Sequence, residues 1–319
     1  MTGLFPACRP YTADAVDRDP SKTRRRLRML ALLLPVALAG ALVLSPTASA
    51  GWFLPESGGS PNADSIKTLY ILIALLALVI FLGVEGLLLY SLFKYRARKG
   101  KVAAQIHGNT QLEIGWTVGA AAILVFITVF TFVLLPDIKN PAKSDIDLQG
   151  QPVASAHSLF AATDQPTPPG GVSMPIDIVG QQYSWFFGYP DLDNKHVYAY
   201  NDLYVPVGMT VTLNIKSVDV AHSWWIPKLG GKADAIPGYT NKTWFKIPPD
   251  AIPEGSDRVI YTGQCAELCG RNHADMLARV IGLRYDDWKA WYDKKAAQLT
   301  QAKDDAASER KKLQQEEAQ

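Results

Sequence analysis

Between Cys265 and Met276 the chain reads C-A-E-L-C-G-R-N-H-A-D-M, which places two thiols, an imidazole and a thioether in one short segment. Sulfur and imidazole donors suit copper better than magnesium or calcium, which prefer oxygen. A mononuclear electron-transfer copper site uses one Cys, two His and a weak axial Met. Here a second Cys stands four residues after the first, and two thiolates could bridge two metals. A fourth strong ligand has to come from outside the segment. His107 falls in a stretch expected on the cytoplasmic side, His157 in a Pro/Gly-rich stretch and His196 in an expected hairpin, which leaves His222 in A-H-S-W-W. Two other readings of the cysteines stay open: a disulfide across one helical turn, and a tetrahedral zinc site with His222 and His273. Neither uses Met276.

The elements that must carry this segment follow from the distribution of apolar residues. The 319 residues are 48% hydrophobic and 19% charged, too apolar for a disordered chain, and the apolar excess sits in three runs before residue 136. Arg24, Arg25, Arg26 and Arg28 precede the first, Met29 to Leu44, and Ala48-Ser49-Ala50 follows it. This pattern predicts a signal peptide over residues 1–50, cleaved after Ala50. Residues 51–65 then form an outer N-terminal segment. The runs from about Ile66 to Leu92 and Ile114 to Leu135 each exceed the ~20 residues needed to cross a bilayer as a helix. Lys94, Arg96, Arg98, Lys99 and Lys101 lie between them and should stay in the cytoplasm. Residues 66–135 are therefore expected as a transmembrane hairpin with both ends outward, in agreement with the export signal. From Pro136 onward there are 19 Lys and Arg against 23 Asp and Glu. That negative balance argues against a nucleic-acid partner and leaves room for a cationic protein.

Residues 136–175 are rich in Pro, Gly, Ser and Asp, as in a linker or surface insertion. From 176 to 285 short runs of β-formers recur between turn signals: Ile176 to Val179, Val197 to Tyr200, Thr210 to Ile215, Thr243 to Ile247, Val259 to Thr262 and Ala278 to Leu283. Regular spacing of this kind predicts a β-sandwich or barrel, with the ligand segment on a loop between its last two strands. Residues 286–319 turn highly charged behind Trp288, Trp291 and Tyr292, which predicts a helix packed by its aromatics that frays into a solvated tail.

His222-Ser223-Trp224 followed by C-x-E-x-C-G-x-x-H-x-x-M resembles the CuA segment of cytochrome c oxidase subunit II. Leu112-Glu113-Ile114-Gly115-Trp116-Thr117 resembles that family's entry to its second helix, and Lys232 to Gly238 its loop after the first His. The resemblance covers roughly residues 65–285. It implies a two-helix transmembrane hairpin plus an all-β cupredoxin-like sandwich on the outer side of a bacterial plasma membrane. It implies a dinuclear copper centre with Cys265 and Cys269 as bridging thiolates, His222 and His273 as terminal imidazoles, and Met276 and the Glu267 carbonyl as axial ligands. The Glu267 carboxylate would help hold a magnesium ion at the boundary with a haem-copper catalytic subunit, and Glu113 would stand near a proton-path entrance of that subunit. Electrons would come from a c-type cytochrome and leave to haem in the catalytic subunit, which would reduce oxygen and pump protons. Where the family shows G-H-Q-W-x-W, this chain has Gly180-Gln181-Gln182-Tyr183-Ser184-Trp185. Tyr183 and Trp185 are then the electron-entry candidates, and the donor is either a free cytochrome or a haem protein held in a supercomplex. Asp191, Asp193 and Asp219 are candidates for docking it. A nitric-oxide-reducing complex would share the module, and a membrane copper chaperone or store would bind isolated copper instead.

Overall fold

The computed structural model describes residues 54–97, 100, 105, 108–153 and 168–317. The expected signal peptide, His107 and His157 lie outside these residues.

Among the described residues two long helices come first. α1 spans Pro61–Lys94 and α2 spans Thr110–Lys139. Proline at the start of α1 gives up an N–H that would have no helical partner, and Asp64 and Lys94 complement the two ends of the helix dipole. Asn109 caps α2, its side chain accepting from Leu112 N–H at 3.2 Å. At ~1.5 Å per residue the helices are roughly 50 and 45 Å long, well beyond a ~30 Å hydrocarbon core. Both have the length and hydropathy to cross a membrane. Their large apolar side chains face outward on all sides, Phe81, Leu87 and Phe93 on α1 and Trp116, Val125 and Phe132 on α2 among them. α1 starts five residues before the apolar run, and α2 continues four residues past its own. The polar outer turns still gain intrahelical hydrogen bonds, so the helices outlast their hydrophobic segments.

Among the described residues the sandwich has ten strands: β1 (Met174–Gln181), β2 (Ser184–Gly188), β3 (Tyr198–Tyr200), β4 (Asp202–Pro206), β5 (Thr210–Ser217), β6 (His222–Trp224), β7 (Ala233–Ala235), β8 (Asn241–Lys246), β9 (Arg258–Gln264) and β10 (Leu277–Leu283). One sheet runs β3-β2-β1-β5-β8, a second β4-β10-β9, and β6 pairs with β7 as a small ribbon. Alternation sets the inner face: Met174, Ile176 and Ile178 of β1 and Val211, Leu213 and Ile215 of β5 are buried, whereas Pro175 and Asp177 point out. They meet Leu203 and Val205 of β4 and Val280 of β10 across the core, with Trp185 and Phe187 of β2 filling the same space. β2, β4, β6 and β7 were not among the expected strands. β2 is carried by Trp185, Phe186 and Phe187, a run of aromatics without polar alternation.

Residues 140–153, expected as linker or insertion, are docked on the sandwich. The Ser144 hydroxyl is fully buried, donates to the Val172 carbonyl at 2.7 Å and accepts from Thr210 N–H at 3.0 Å. Asp145 N–H donates to the Gly208 carbonyl at 2.7 Å. Short polar side chains here serve buried backbone groups, a role that composition does not distinguish from solvation.

The final helix, α3, spans Tyr285–Glu317 and is continuous where fraying was expected. Trp288, Tyr292 and Ala296 share its buried face. The Trp288 indole N–H donates to the Tyr204 carbonyl at 3.1 Å, and Trp291 stacks on Tyr204 with ring centroids 4.4 Å apart. Asp293 pairs with Lys195 at 2.8 Å and Lys289 at 2.7 Å, and those two lysines, in that order, hold its carboxyl below the usual range. From Thr300 to Glu316 every residue is exposed. Trp288→Ala is expected to cost about 3–5 kcal/mol in urea unfolding followed by fluorescence. Truncation after Gln301 should change the same measurement by less than about 0.5 kcal/mol.

Candidate metal centre

The cluster loop leaves β9 at Cys265 and re-enters the sheet after Met276. Cys265 N–H donates to the Met276 carbonyl at 2.9 Å and closes the neck of the loop. Ala266 N–H donates to the Ser223 carbonyl at 2.9 Å, fastening the loop to β6. Gly270, at φ 130°, turns the chain where a Cβ would lie 2.6 Å from the Tyr183 hydroxyl, so only glycine fits. A single helical turn, His273–Asp275, then swings His273 back toward the cysteines.

The donors converge in two halves. Cys265 Sγ and Cys269 Sγ are 3.9 Å apart. His222 Nδ1 lies 3.8 Å from Cys265 Sγ, and the Glu267 carbonyl oxygen 3.3 Å from the same sulfur. His273 Nδ1 lies 3.5 Å from Cys269 Sγ, and Met276 Sδ 3.9 Å from it. The donor atoms of His222, Cys265 and Cys269 all lie within 4.8 Å of one another, and all three residues are buried. Both cysteines are free, so the disulfide alternative does not hold. Two metal–sulfur bonds of ~2.3 Å can span up to ~4.6 Å, and a sulfur plus an imidazole up to ~4.3 Å. The five pairwise separations of 3.3 to 3.9 Å fall inside these limits, and the donor set fits a soft metal.

Asp219 orients one half. Its carboxylate accepts from His222 Nε2–H at 2.8 Å, which leaves the Nδ1 lone pair facing the sulfurs. Gln182 N–H and Val220 N–H, each at 2.6 Å, and the Ser217 hydroxyl at 3.1 Å complete its shell. Burial raises this carboxyl, but the His222 bond and then the two amide bonds outweigh it and hold it down at about 2. Asp219 was expected as a donor-docking acid; its oxygens are instead committed to the ligand histidine and its own turn. Gly180 permits this packing, since a Cβ there would come within 2.9 Å of His222 Cδ2. Burial, and after it the neighbouring Cys265, push the Cys269 thiol up to about 11. Metal uptake at neutral pH therefore displaces a proton from this sulfur.

The remaining candidates divide by position. Tyr183 is half-buried beside Gly270, and its neighbour Gln182 donates from Nε2 to the Cys269 carbonyl at 2.6 Å. Trp185 is fully buried, edge-on to His222 at 6.0 Å and to Trp224 at 5.4 Å, so it cannot itself touch a donor. Asp191 and Asp193 are exposed but lie past the opposite end of β2, at the turn that leads to β3. They pair there with His196 at 2.7 Å and Lys289 at 3.5 Å. Strand direction, invisible in composition, separates them from the cluster. Glu267 is exposed, and Glu113 sits in the first turn of α2. Sequence reasoning missed the orienting role of Asp219, for which the only signal was an acid three residues before His222.

The family model described as cytochrome C oxidase subunit II, periplasmic domain, matches residues 193–282, and that of the family's transmembrane domain matches residues 48–134. Cytochrome c oxidase subunit 2 of Thermostichus vulcanus is 30% identical over 265 residues, covering 75% of this chain and 77% of the relative. The chain belongs to the cytochrome c oxidase subunit II family. The corresponding protein of Alkalihalophilus pseudofirmus is 32% identical over 248 residues, covering 77% of this chain and 62% of the relative's length. The periplasmic domain of the subunit II protein of Bradyrhizobium japonicum, known from a crystal structure, is 28% identical and matches 39% of this chain and 94% of that one with a TM-score of 0.35. Membership in the subunit II family implies a CuA copper centre, which the donors described above fit, and makes this a membrane protein with its cupredoxin-like domain outside the bilayer.

Removing the orienting carboxylate by Asp219→Ala is expected to weaken copper binding about 10–100-fold, as measured by competition with a calibrated chelator.

Proposed function

We propose that the chain is the electron-entry subunit of a respiratory haem-copper oxidase in a bacterial plasma membrane. It accepts electrons from a c-type cytochrome at a dinuclear CuA centre and passes them to haem in a catalytic subunit that reduces oxygen to water and pumps protons. The observation that carries this reading is the two-halved donor set: two buried sulfurs 3.9 Å apart, each with its own imidazole. A copper pair held there supplies one-electron chemistry with the charge change spread over two metals and two sulfurs.

The chain's own residues have distinct tasks in this reading. Cys265 and Cys269 would hold the copper pair through their thiolates, His222 and His273 through their imidazoles, and Met276 and the Glu267 carbonyl through weaker contacts. The burial of both cysteines excludes water and limits what must reorganise around the sulfurs. The exposed Glu267 carboxylate is available to a magnesium ion at the boundary with the catalytic subunit. Glu113, at the inner end of α2, stands at the entrance of that subunit's proton path. Tyr183 is the electron-entry side chain, with Gln182 linking its turn to the Cys269 carbonyl. Trp185 stiffens the packing behind His222. The donor is a c-type haem, free or fixed in a supercomplex, that meets the Tyr183 end of the sandwich. Residues 1–50 export this domain and are cleaved.

Copper loading of the full chain is expected to give two coppers per protein and a paramagnetic resonance spectrum of one unpaired electron shared by both. Cys269→Ser should abolish the shared signal; a single copper, or zinc in its place, would overturn the assignment. Tyr183→Ala is expected to slow reduction by a cytochrome c donor roughly tenfold, the scale of one lost aromatic anchor. Asp191→Asn with Asp193→Asn should leave that rate unchanged.

A further inference from the structure

β8 is an edge strand of the five-stranded sheet, and an edge presents backbone N–H and C=O groups that need partners. Two of them find partners in the first turn of a membrane helix. Lys246 N–H donates to the Ser60 hydroxyl at 3.0 Å, and the Trp244 carbonyl accepts from Asn62 Nδ2 at 2.8 Å. Ser60 donates in turn to Asn62 Oδ1 at 2.6 Å. Ser60 is 1% exposed and Asn62 4%, a degree of burial that polar side chains at the start of a helix have no need of for capping alone. The indole of Trp244, itself 3% exposed, donates to the Ile138 carbonyl in the last turn of α2 at 3.0 Å. One strand of the sandwich is thus bonded to the outer ends of both membrane helices.

The fit around these bonds is close. A Cβ on Gly230, at φ 139°, would meet Asn62 Nδ2 at 2.7 Å, and one on Gly59 would meet the Lys228 carbonyl at 2.6 Å. The route from here to the cluster is short. Asn241 of β8 donates from Nδ2 to the Asp234 carbonyl of β7 at 2.6 Å, and β7 pairs with β6 so that Ala235 stands opposite His222. Domains joined only by chain connections move relative to one another by default. A single attachment would leave a pivot, whereas two attachments at separate helix ends on one rigid strand remove it.

We propose that Ser60, Asn62 and Trp244 are positioning residues: a clamp that fixes the tilt and height of the sandwich over the membrane helices, and with it the distance from the copper centre to the haem that receives its electron. The inference rests on the electron-relay reading above for its consequence, but the clamp itself is measurable without copper. Lys294→Cys with Gln298→Cys, both exposed and one helical turn apart on α3, accepts a bifunctional nitroxide that reports the sandwich's orientation in aligned bilayers of the full chain. The test variant is Asn62→Leu with Trp244→Phe, which removes both N–H donors without introducing a charge into the buried contact. A narrow orientational distribution is expected for the parent and a broad one for the variant. In the assembled oxidase the variant should keep its copper spectrum and its rate of reduction by cytochrome c. Transfer from copper to haem after rapid photoreduction should slow by about tenfold, within the range that an ångström-scale misplacement produces. An unchanged orientational distribution would overturn the clamp, and so would a broadened one with unchanged transfer. If the double variant does not assemble, Trp244→Phe alone is read by the same measurements with the same outcomes. Absence of a shared-copper signal in the parent would sink the relay reading while leaving the nitroxide result to decide the clamp.

Discussion

Four donor side chains from one short loop converge only because its ends are held one hydrogen bond apart. The bond from Cys265 N–H to the Met276 carbonyl does this, extending the β9–β10 ladder by one rung beyond Leu277 opposite Gln264. Everything inside the neck inherits its position from the sheet: the sulfurs, the Gly270 bend and the single turn that returns His273. Binding residues carried on a loop gain precision from a rigid scaffold in this way. The sheet's own rigidity comes from the inward-facing Ile176, Ile178, Leu213 and Val280, which are fully buried or nearly so.

The electrostatics of the site follow from the same enclosure. Burial, and after it the neighbouring Cys265, hold the proton on the Cys269 thiol. A cation between them removes that penalty, which is why a buried pair of cysteines 3.9 Å apart suits a metal better than it suits itself. Asp219 works in the opposite sense. Four hydrogen bonds keep it ionised despite partial burial, and its fixed charge sets which nitrogen of His222 faces inward. The centre is thus shaped by one group that does not readily lose its proton and one that does not readily gain it.

The sandwich is also tied to the membrane segment at more points than chain connectivity requires. Trp244, Asn62 and Ser60 are each buried and each bonded to a backbone group distant in sequence. Buried polar groups of this kind add little net stability when satisfied but permit few alternative arrangements. Their effect is to choose one orientation of the metal loop relative to the two helices.

Much of this was readable in one dimension. The soft-donor spacing from Cys265 to Met276 named the chemistry, because ligand type depends on residue identity and a short loop keeps its residues together. The two apolar runs marked the membrane helices, because bilayer thickness fixes their length. Six strands were legible through their β-branched residues, whereas β2 was not, since Trp185-Phe186-Phe187 carries no alternation. What required the tertiary structure was every relation between distant segments. Asp219 and Asp191 look alike in the sequence as acids on an outer domain, yet one holds His222 and the other sits at the far end of β2. Residues 140–153 have the composition of a linker, yet Ser144 is fully buried. Side-chain chemistry is local and survives in the sequence; which end of a strand a residue occupies, and what packs over it, depends on the strand order and direction of the folded sheets.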